Sequence, residues 1–162
     1  MSVEEPNDRQ LDPVSDLGLG PVDQISFAVE DISAALAIYE PLFGRFTIRE
    51  TILSPENLVY QGRPASVHLM LAFSRSGDVE VELVQVIAGD WPTLDHIGRH
   101  GPGLHHVRFL VESLETKVMQ METAGFVPVL HGVSPRGSRF AYLETPQILG
   151  STMVELLQPS AG

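Results

Sequence analysis

Val22-Asp23-Gln24-Ile25-Ser26-Phe27-Ala28-Val29-Glu30-Asp31 and Leu104-His105-His106-Val107-Arg108-Phe109-Leu110-Val111-Glu112-Ser113 are one segment written twice, 82 residues apart, with Phe, Val and Glu identical at three positions. Each copy reads as an apolar strand that runs into a helix-capping residue, Asp31 or Ser113. A helical stretch follows each, near residues 32–42 and 113–124, and both stop at a glycine beside an aromatic, Phe43-Gly44 and Gly125-Phe126. The far ends of the copies match as well. Val81-Glu82-Leu83-Val84-Gln85 pairs with Val154-Glu155-Leu156-Leu157-Gln158, four identities in five. Between helix and last strand each copy has room for two more strands, Phe46–Leu53 and Ser66–Phe73 in the first, Val127–Leu130 and Arg139–Glu144 in the second. Turn-rich runs such as Ser54-Pro55-Glu56-Asn57 and Gly132–Gly137 separate them. One matched pair of amphipathic strands arises by chance, whereas two matched pairs in the same order do not. The expectation is an α+β fold of two βαβββ modules in pseudo-twofold repeat. They span residues 21–86 and 104–158 and are joined by a linker, 87–103, with a short helix.

Alternation assigns the faces. Ile25, Phe27 and Val29 form the side a helix covers, as do Val81, Leu83, Val154 and Leu156. Gln24, Glu82, His106 and Glu155 point the other way, each a side chain of metal-ligand type. A carboxylate on an apolar concave sheet is costly unless a cation or proton compensates it. Two equivalent ones on one surface ask for a metal ion.

The remainder of the chain bounds the function. Its 162 residues, 43% hydrophobic and 19% charged, are enough for one domain with a real core. Cysteine is absent, which removes disulfides, thiolate nucleophiles and cysteine metal sites. Ten Lys+Arg against 21 Asp+Glu give −11, with Lys117 the single lysine, so nucleic acid and anionic membrane surfaces are unsuited partners. No apolar run approaches the ~20 residues of a membrane span, and the N-terminus is acidic where a secretory signal is basic. A soluble, cytoplasmic protein is expected. Glu4, Glu5, Asp8, Asp12 and Asp16 stand against Arg9 alone in residues 1–20, which also carry Pro6, Pro13, Gly18 and Gly20; this stretch is read as a flexible acidic arm.

Over residues 21–158 the chain resembles the vicinal oxygen chelate superfamily, which includes glyoxalase, fosfomycin and bleomycin resistance proteins, extradiol dioxygenases and methylmalonyl-CoA epimerase. The second half is most similar to the epimerase branch, in Asp95-His-Ile-Gly-Arg-His-Gly-Pro-Gly-Leu-His-His106 and Gly150-Ser-Thr-Met-Val-Glu-Leu-Leu157. The resemblance implies curved mixed sheets enclosing a cup, with ligands on the first and last strand of each module. By position these fall on Gln24, Glu82, His106 and Glu155. Gln24 departs from the family, which has a histidine there. Three side-chain oxygens and one imidazole suit Mg²⁺, Mn²⁺, Co²⁺ or Ni²⁺ better than Zn²⁺ or iron. Two histidines and one carboxylate, the iron dioxygenase set, are not present.

Other residues have two readings each. Alternation puts His68 on a face with Met70 and Ala72, and the resemblance places it where the epimerases carry a catalytic glutamate; otherwise it is a hydrogen-bonded structural histidine. Arg108 shares a face with His106 and either grips a carboxylate or phosphate of the substrate or pairs with Glu80 or Glu82. His105 points to the opposite face and reads as structural. His96 and His100 read as solvated on the short helix. His131, Arg136 and Arg139 flank a loop. The resemblance implies a metal-dependent isomerase, epimerase or lyase that stabilises an enolate next to a carbonyl, with Glu155 and His68 moving the proton. Its substrate would be an acyl-CoA or another anionic carbonyl compound, and its assembly a homodimer. The alternative is a non-catalytic small-molecule binder like the bleomycin-resistance proteins.

Overall fold

The computed structural model describes residues 17–146 and 150–162. The expected acidic arm lies outside the described residues up to position 16. Its last residues are anchored, with Leu17 and Leu19 packed on the core and the Leu17 carbonyl accepting from Lys117 Nζ at 2.6 Å. Among the described residues no helix is long and apolar enough to cross a membrane.

The first module is β1 (Val22–Ala28), α1 (Ile32–Phe43), β2 (Thr47–Leu53), the short β3 (Leu58–Tyr60) and β4 (Arg63–Pro64), then β5 (Val67–Ser76) and β6 (Val79–Gly89). A connecting helix α2 (Pro92–His100) leads to the second module. That consists of β7 (Gly103–Leu110), α3 (Leu114–Thr123), β8 (Val127–Val133), β9 (Arg139–Glu144) and β10 (Met153–Gln158). The ten strands among the described residues form one sheet in the order β2-β5-β6-β1-β7-β10-β9-β8-β3-β4. Leaving aside β3 and β4, this order reads the same from either end once each strand is replaced by its repeat equivalent. The pairs β1/β6 and β7/β10 are parallel and the others antiparallel, so the sheet is mixed.

The two modules begin in the same way for the same chemical reason. Asp31 Oδ1 accepts from the Ala34 amide and Ser113 Oγ from the Thr116 amide, which satisfies an otherwise orphaned donor in each first turn. The shared glutamines act alongside. Gln85 Oε1 accepts from Ile32 N and Gln158 Oε1 from Leu114 N, each at 2.9 Å, tying the helix start to the last strand of its own module. α1 covers one face with Phe27, Ile32, Tyr39, Ala72 and Leu83, and α3 covers the other half with Leu114, Met121, Val154 and Leu156. Leu83 and Leu156 are repeat equivalents with no exposed surface, so truncating either to alanine costs about 2–5 kcal/mol.

β3 and β4 are an addition to the expected scheme. Gln61 (φ 50°) and Gly62 (φ 76°) make a two-residue hairpin turn between them, and β3 then crosses to pair with β8 of the other module. Leu58 lies opposite Gly132, where a Cβ would stand 2.9 Å from the Asn57 carbonyl oxygen, so glycine is what lets the strands approach. The sheet curls so that its helix-free face becomes the inside of a cup. Trp91, just before α2, is buried inside it against Phe140 and Tyr142.

The register of the seam between β1 and β7 shapes the site. Ile25 lies opposite Val107, its own repeat equivalent, so the pseudo-twofold passes there. On one side Asp23 is bulged out between the pairs Val22/Phe109 and Gln24/Arg108; on the other, His105 is bulged out between Ser26/His106 and Phe27/Leu104.

Candidate active site

The cup holds a cavity of about 800 Å³. At its floor the structure brings together all four expected ligand residues, Glu82 and Glu155 lining the cavity and Gln24 and His106 fully buried behind them. His106 Nε2 lies 3.0 Å from Glu155 Oε2, 3.2 Å from Gln24 Oε1 and 3.7 Å from Glu82 Oε2. All four side chains are buried. Each is held in place by a neighbour. Gln24 donates through Nε2 to Glu80 Oε1 at 2.7 Å, which turns its oxygen toward His106. Ser26 Oγ donates to Glu82 Oε2 at 2.6 Å. His106 is edge-on to Tyr142, with ring centres 4.8 Å apart.

Burial governs the electrostatics. It pushes Glu82 up to about 8, reinforced by the charge of Glu155 and opposed by the Ser26 hydrogen bond and Arg108. Glu155 is likewise raised by burial, to about 7, with Arg108 pulling the other way. His106 is lowered to about 3 by burial and the Arg108 charge, so it is a neutral imidazole at pH 7. The floor as it stands is therefore short of positive charge.

Arg108 faces this cluster, but it is already committed. Its Nε and Nη2 grip both oxygens of Asp23, at 3.1 and 2.7 Å, and Nη2 also reaches Glu80 at 3.4 Å. Burial alone would lower its pKa; the Asp23 hydrogen bonds and the charges of Glu155, Asp23 and Glu82 reverse that and raise it. Of the two partners expected from sequence Glu80 is confirmed, while Glu82 gives way to Asp23. The bulge at Asp23 provides that contact.

His68 does not join the cluster. β5 turns Leu69, Leu71 and Phe73 into the cavity, whereas Met70 and Ala72 pack with the residues covered by α1. His68 shares that outer face and bonds Glu50 at 2.5 Å. Alternation grouped His68, Met70 and Ala72 correctly, but the face they share is the helix side. His96 is also corrected: it is buried, because α2 lies across β1, β6 and β7 and turns Thr93 and His96 inward. Burial, then His100, lowers its pKa. His100 is exposed, as expected. At the mouth of the cup stand Arg45, Arg49, Arg75 and Arg136, so with Arg108 five of the chain's ten cationic side chains line one cavity. Arg49 lies over the Phe73 ring at 5.3 Å. Arginines scattered over β2, β5 and a loop carry no sequence spacing that reveals this.

A sequence profile of the glyoxalase/bleomycin resistance protein/dioxygenase superfamily matches residues 23–142. The chain belongs to this superfamily. It is 25% identical over 141 residues to the Bacillus subtilis protein YqjC, covering 85% of this chain and 91% of that one. A Bacillus halodurans protein superposes with a TM-score of 0.62 at 22% identity, over 88% of this chain and 96% of that one. A Streptomyces coelicolor methylmalonyl-CoA epimerase in complex with 2-nitronate-propionyl-CoA gives 0.61 at 21% identity, with coverage of 88% and 96%. The Mycobacterium tuberculosis methylmalonyl-CoA epimerase gives 0.61 at 18%, with coverage of 88% and 90%. At these identities the likeness is one of fold.

Members of the superfamily typically bind a divalent metal, so the floor can be tested for fit. Among the described residues the histidine and acidic side chains alone form no group of three arranged to hold an ion. Glu82 stands furthest from His106, at 3.7 Å, and accepts from Ser26. With the Gln24 amide included, two ligand-type oxygens stand 3.0 and 3.2 Å from His106 Nε2. Adjacent ligands around an ion at about 2.1 Å stand roughly 3 Å apart, so this spacing suits a small oxygen-preferring cation. Three acceptor oxygens crowding an imidazole nitrogen, two of them on carboxyl groups starved of positive charge, are the chemistry of a cation site. The donor set fits.

Proposed function

We propose that this superfamily member is a divalent-metal-dependent isomerase, epimerase or lyase that moves a proton at carbon next to the carbonyl of an anionic substrate. The observation that carries this reading is the convergence of Gln24, Glu155 and Glu82 on His106 Nε2 at the floor of a cup ringed with arginine. Gln24, Glu82, His106 and Glu155 would hold the ion, with Mg²⁺, Mn²⁺, Co²⁺ or Ni²⁺ preferred for so oxygen-rich a set. Bound there, it would supply Lewis-acid stabilisation of negative charge on a substrate oxygen.

The chain's own residues supply the rest. Glu155 lies buried at the cavity with its carboxyl 3.0 Å from His106 Nε2, which places it to take and return a proton at a substrate carbon. Tyr142, Phe140, Trp91 and Leu69 give the cavity apolar walls that exclude water. Arg45, Arg49, Arg75 and Arg136 at the mouth favour a substrate with several negative charges, and acyl-CoA thioesters have that chemistry. With His68 outside the cup, Glu155 is the residue to which proton transfer is assigned. That favours reactions in which one group takes the proton and returns it.

A second reading, ligand binding without chemistry, is favoured by the absence of a complete cage of histidine and acidic ligands among the described residues. The two are separated by solvent-deuterium exchange into a panel of 2-substituted acyl thioesters and 2-oxo acids, with Mn²⁺ or Co²⁺ and with chelator. Metal-dependent exchange that Glu155→Gln abolishes while retaining ligand binding supports the enzyme. Tight ligand binding with no exchange under any metal overturns it in favour of the binder.

A further inference from the structure

Consecutive residues on a regular strand turn their side chains to opposite faces, so the rings of His105 and His106 would not meet on an unbroken β7. The bulge at His105 changes this, and the two Nδ1 atoms stand 2.9 Å apart. Both rings are fully buried. Tyr142 is edge-on to His106 and His96 edge-on to His105, at 4.8 and 5.1 Å, which holds both ring planes. Two imidazole nitrogens at that separation share one proton, with one ring donating and the other accepting.

Which ring donates follows from the cup. His106 Nε2 faces the oxygens of Glu155, Gln24 and Glu82, and to bind an ion it must be free of hydrogen. The His106 proton then sits on Nδ1 and is donated to His105 Nδ1. His105 in turn carries its hydrogen on Nε2. That atom is buried and has no hydrogen-bond partner among the described residues. His105 lines a second cavity, of about 650 Å³, bordered also by His96, His100, Tyr60 and Glu144.

We propose that His105 is a positioning residue: its Nδ1 fixes which nitrogen of His106 carries the proton and leaves Nε2 directed at the oxygens of Glu155 and Gln24. It fills the place that a carboxylate or carbonyl usually takes behind a metal-binding histidine. This inference rests on the metal reading above. It also ties the cup to the second cavity, through the chain His106–His105 and the unpartnered Nε2.

The test has a metal-independent arm and a metal arm. In ¹⁵N-labelled, metal-free wild-type protein, a coupling across the hydrogen bond should connect the two Nδ1 atoms. In calorimetric titration with Mn²⁺ alone, His105→Phe, which keeps a ring but deletes the acceptor, should bind about 10–100-fold more weakly. His105→Asn, which returns an acceptor oxygen near the Nδ1 position, should recover most of that loss. A mere packing role predicts the reverse order, with Phe the better tolerated. Absence of the coupling overturns the positioning role and leaves the metal reading intact, as does a Phe variant that binds Mn²⁺ like the wild type. If the Phe variant does not fold, an Asn variant that loses Mn²⁺ as completely as His106→Ala overturns it instead. Wild-type protein that shows the coupling yet binds no divalent ion overturns the metal reading, and the role with it.

Discussion

Metal-free protein should lose stability as pH rises from 6.5 to 8, a direction opposite to that of an ordinary paired carboxylate. Glu82 and Glu155 hold protons up to about 8 and about 7 in the folded chain, against 4.5 for an ordinary glutamate. Above pH 6.5 both are ionised when unfolded, so the native state binds more protons and each further pH step favours unfolding. The buried histidines work the other way, because their lowered values add stability as pH rises toward 6.5. Part of that gain is still to come at pH 6.5, where an unfolded imidazole is half protonated, so His105 and His106 together return about 0.8 kcal/mol between pH 6.5 and 8. At 1.36 kcal/mol per pH unit per proton the two carboxyls lose about 2.4 kcal/mol over this window, which leaves a net loss of about 1.5 kcal/mol. For a chain of 162 residues this lowers Tm by roughly 3–6 °C. The assay is thermal and urea unfolding in chelator at pH 6.5, 7.25 and 8, beside Glu82→Gln and beside wild type with Mn²⁺. The variant should fall by less than about 1 kcal/mol, since its neutral amide does not titrate. Mn²⁺ should reverse the slope, because metal binding displaces those protons. Metal-free wild type that is flat or gains stability between pH 6.5 and 8 would show that the buried carboxyls are already ionised, and the account of the floor would be wrong.

Three further outcomes are expected. Gln24→His should shift metal preference from Mg²⁺ toward Co²⁺, Ni²⁺ and Zn²⁺, read by competition titration, because imidazole is a better donor to those ions than an amide oxygen. Arg136→Met at the cavity wall should weaken binding of an anionic thioester by about 1 kcal/mol, roughly fivefold, while leaving a neutral analogue unaffected. His68→Ala should leave Mn²⁺ and ligand affinity unchanged and alter stability by no more than about 0.5 kcal/mol, since it stands on the outer face beside Glu50.

The fold was legible because repetition is robust to local error. Two strands and two caps recurring in order identify the modules, and the ligand residues follow from period-2 alternation on β1, β6, β7 and β10. Alternation gives relative faces, however, and its absolute sense needs a neighbour of known orientation. On β6 the match to β10 supplied it for Glu82. On β5 nothing does, which leaves His68 with two readings until the structure decides for the hydrogen-bonded one. The β3–β4 hairpin was hidden by its brevity, since three and two residues carry no period. His96 escaped because burial of one face of a nine-residue helix is decided by strands distant in sequence.

The residues that finish the site were hidden for one shared reason, and it is a property of the repeat. Asp23 and His105 are 82 residues apart, so they occupy the same position in the two modules. Both are bulged, and they lie symmetrically about the Ile25/Val107 pair. Each precedes a floor residue, Gln24 or His106. A bulge turns a side chain off the face that alternation assigns, so sequence period places both residues on the wrong side. What the bulges then hold differs. Asp23 grips Arg108 and so positions positive charge beside the carboxyls, while His105 grips His106 and orients a donor nitrogen. The same backbone irregularity thus serves a charge in one module and a ligand in the other. An exchange such as Asp23→His would leave Arg108 without its two-oxygen partner, so the two halves are equivalent in backbone and not in chemistry.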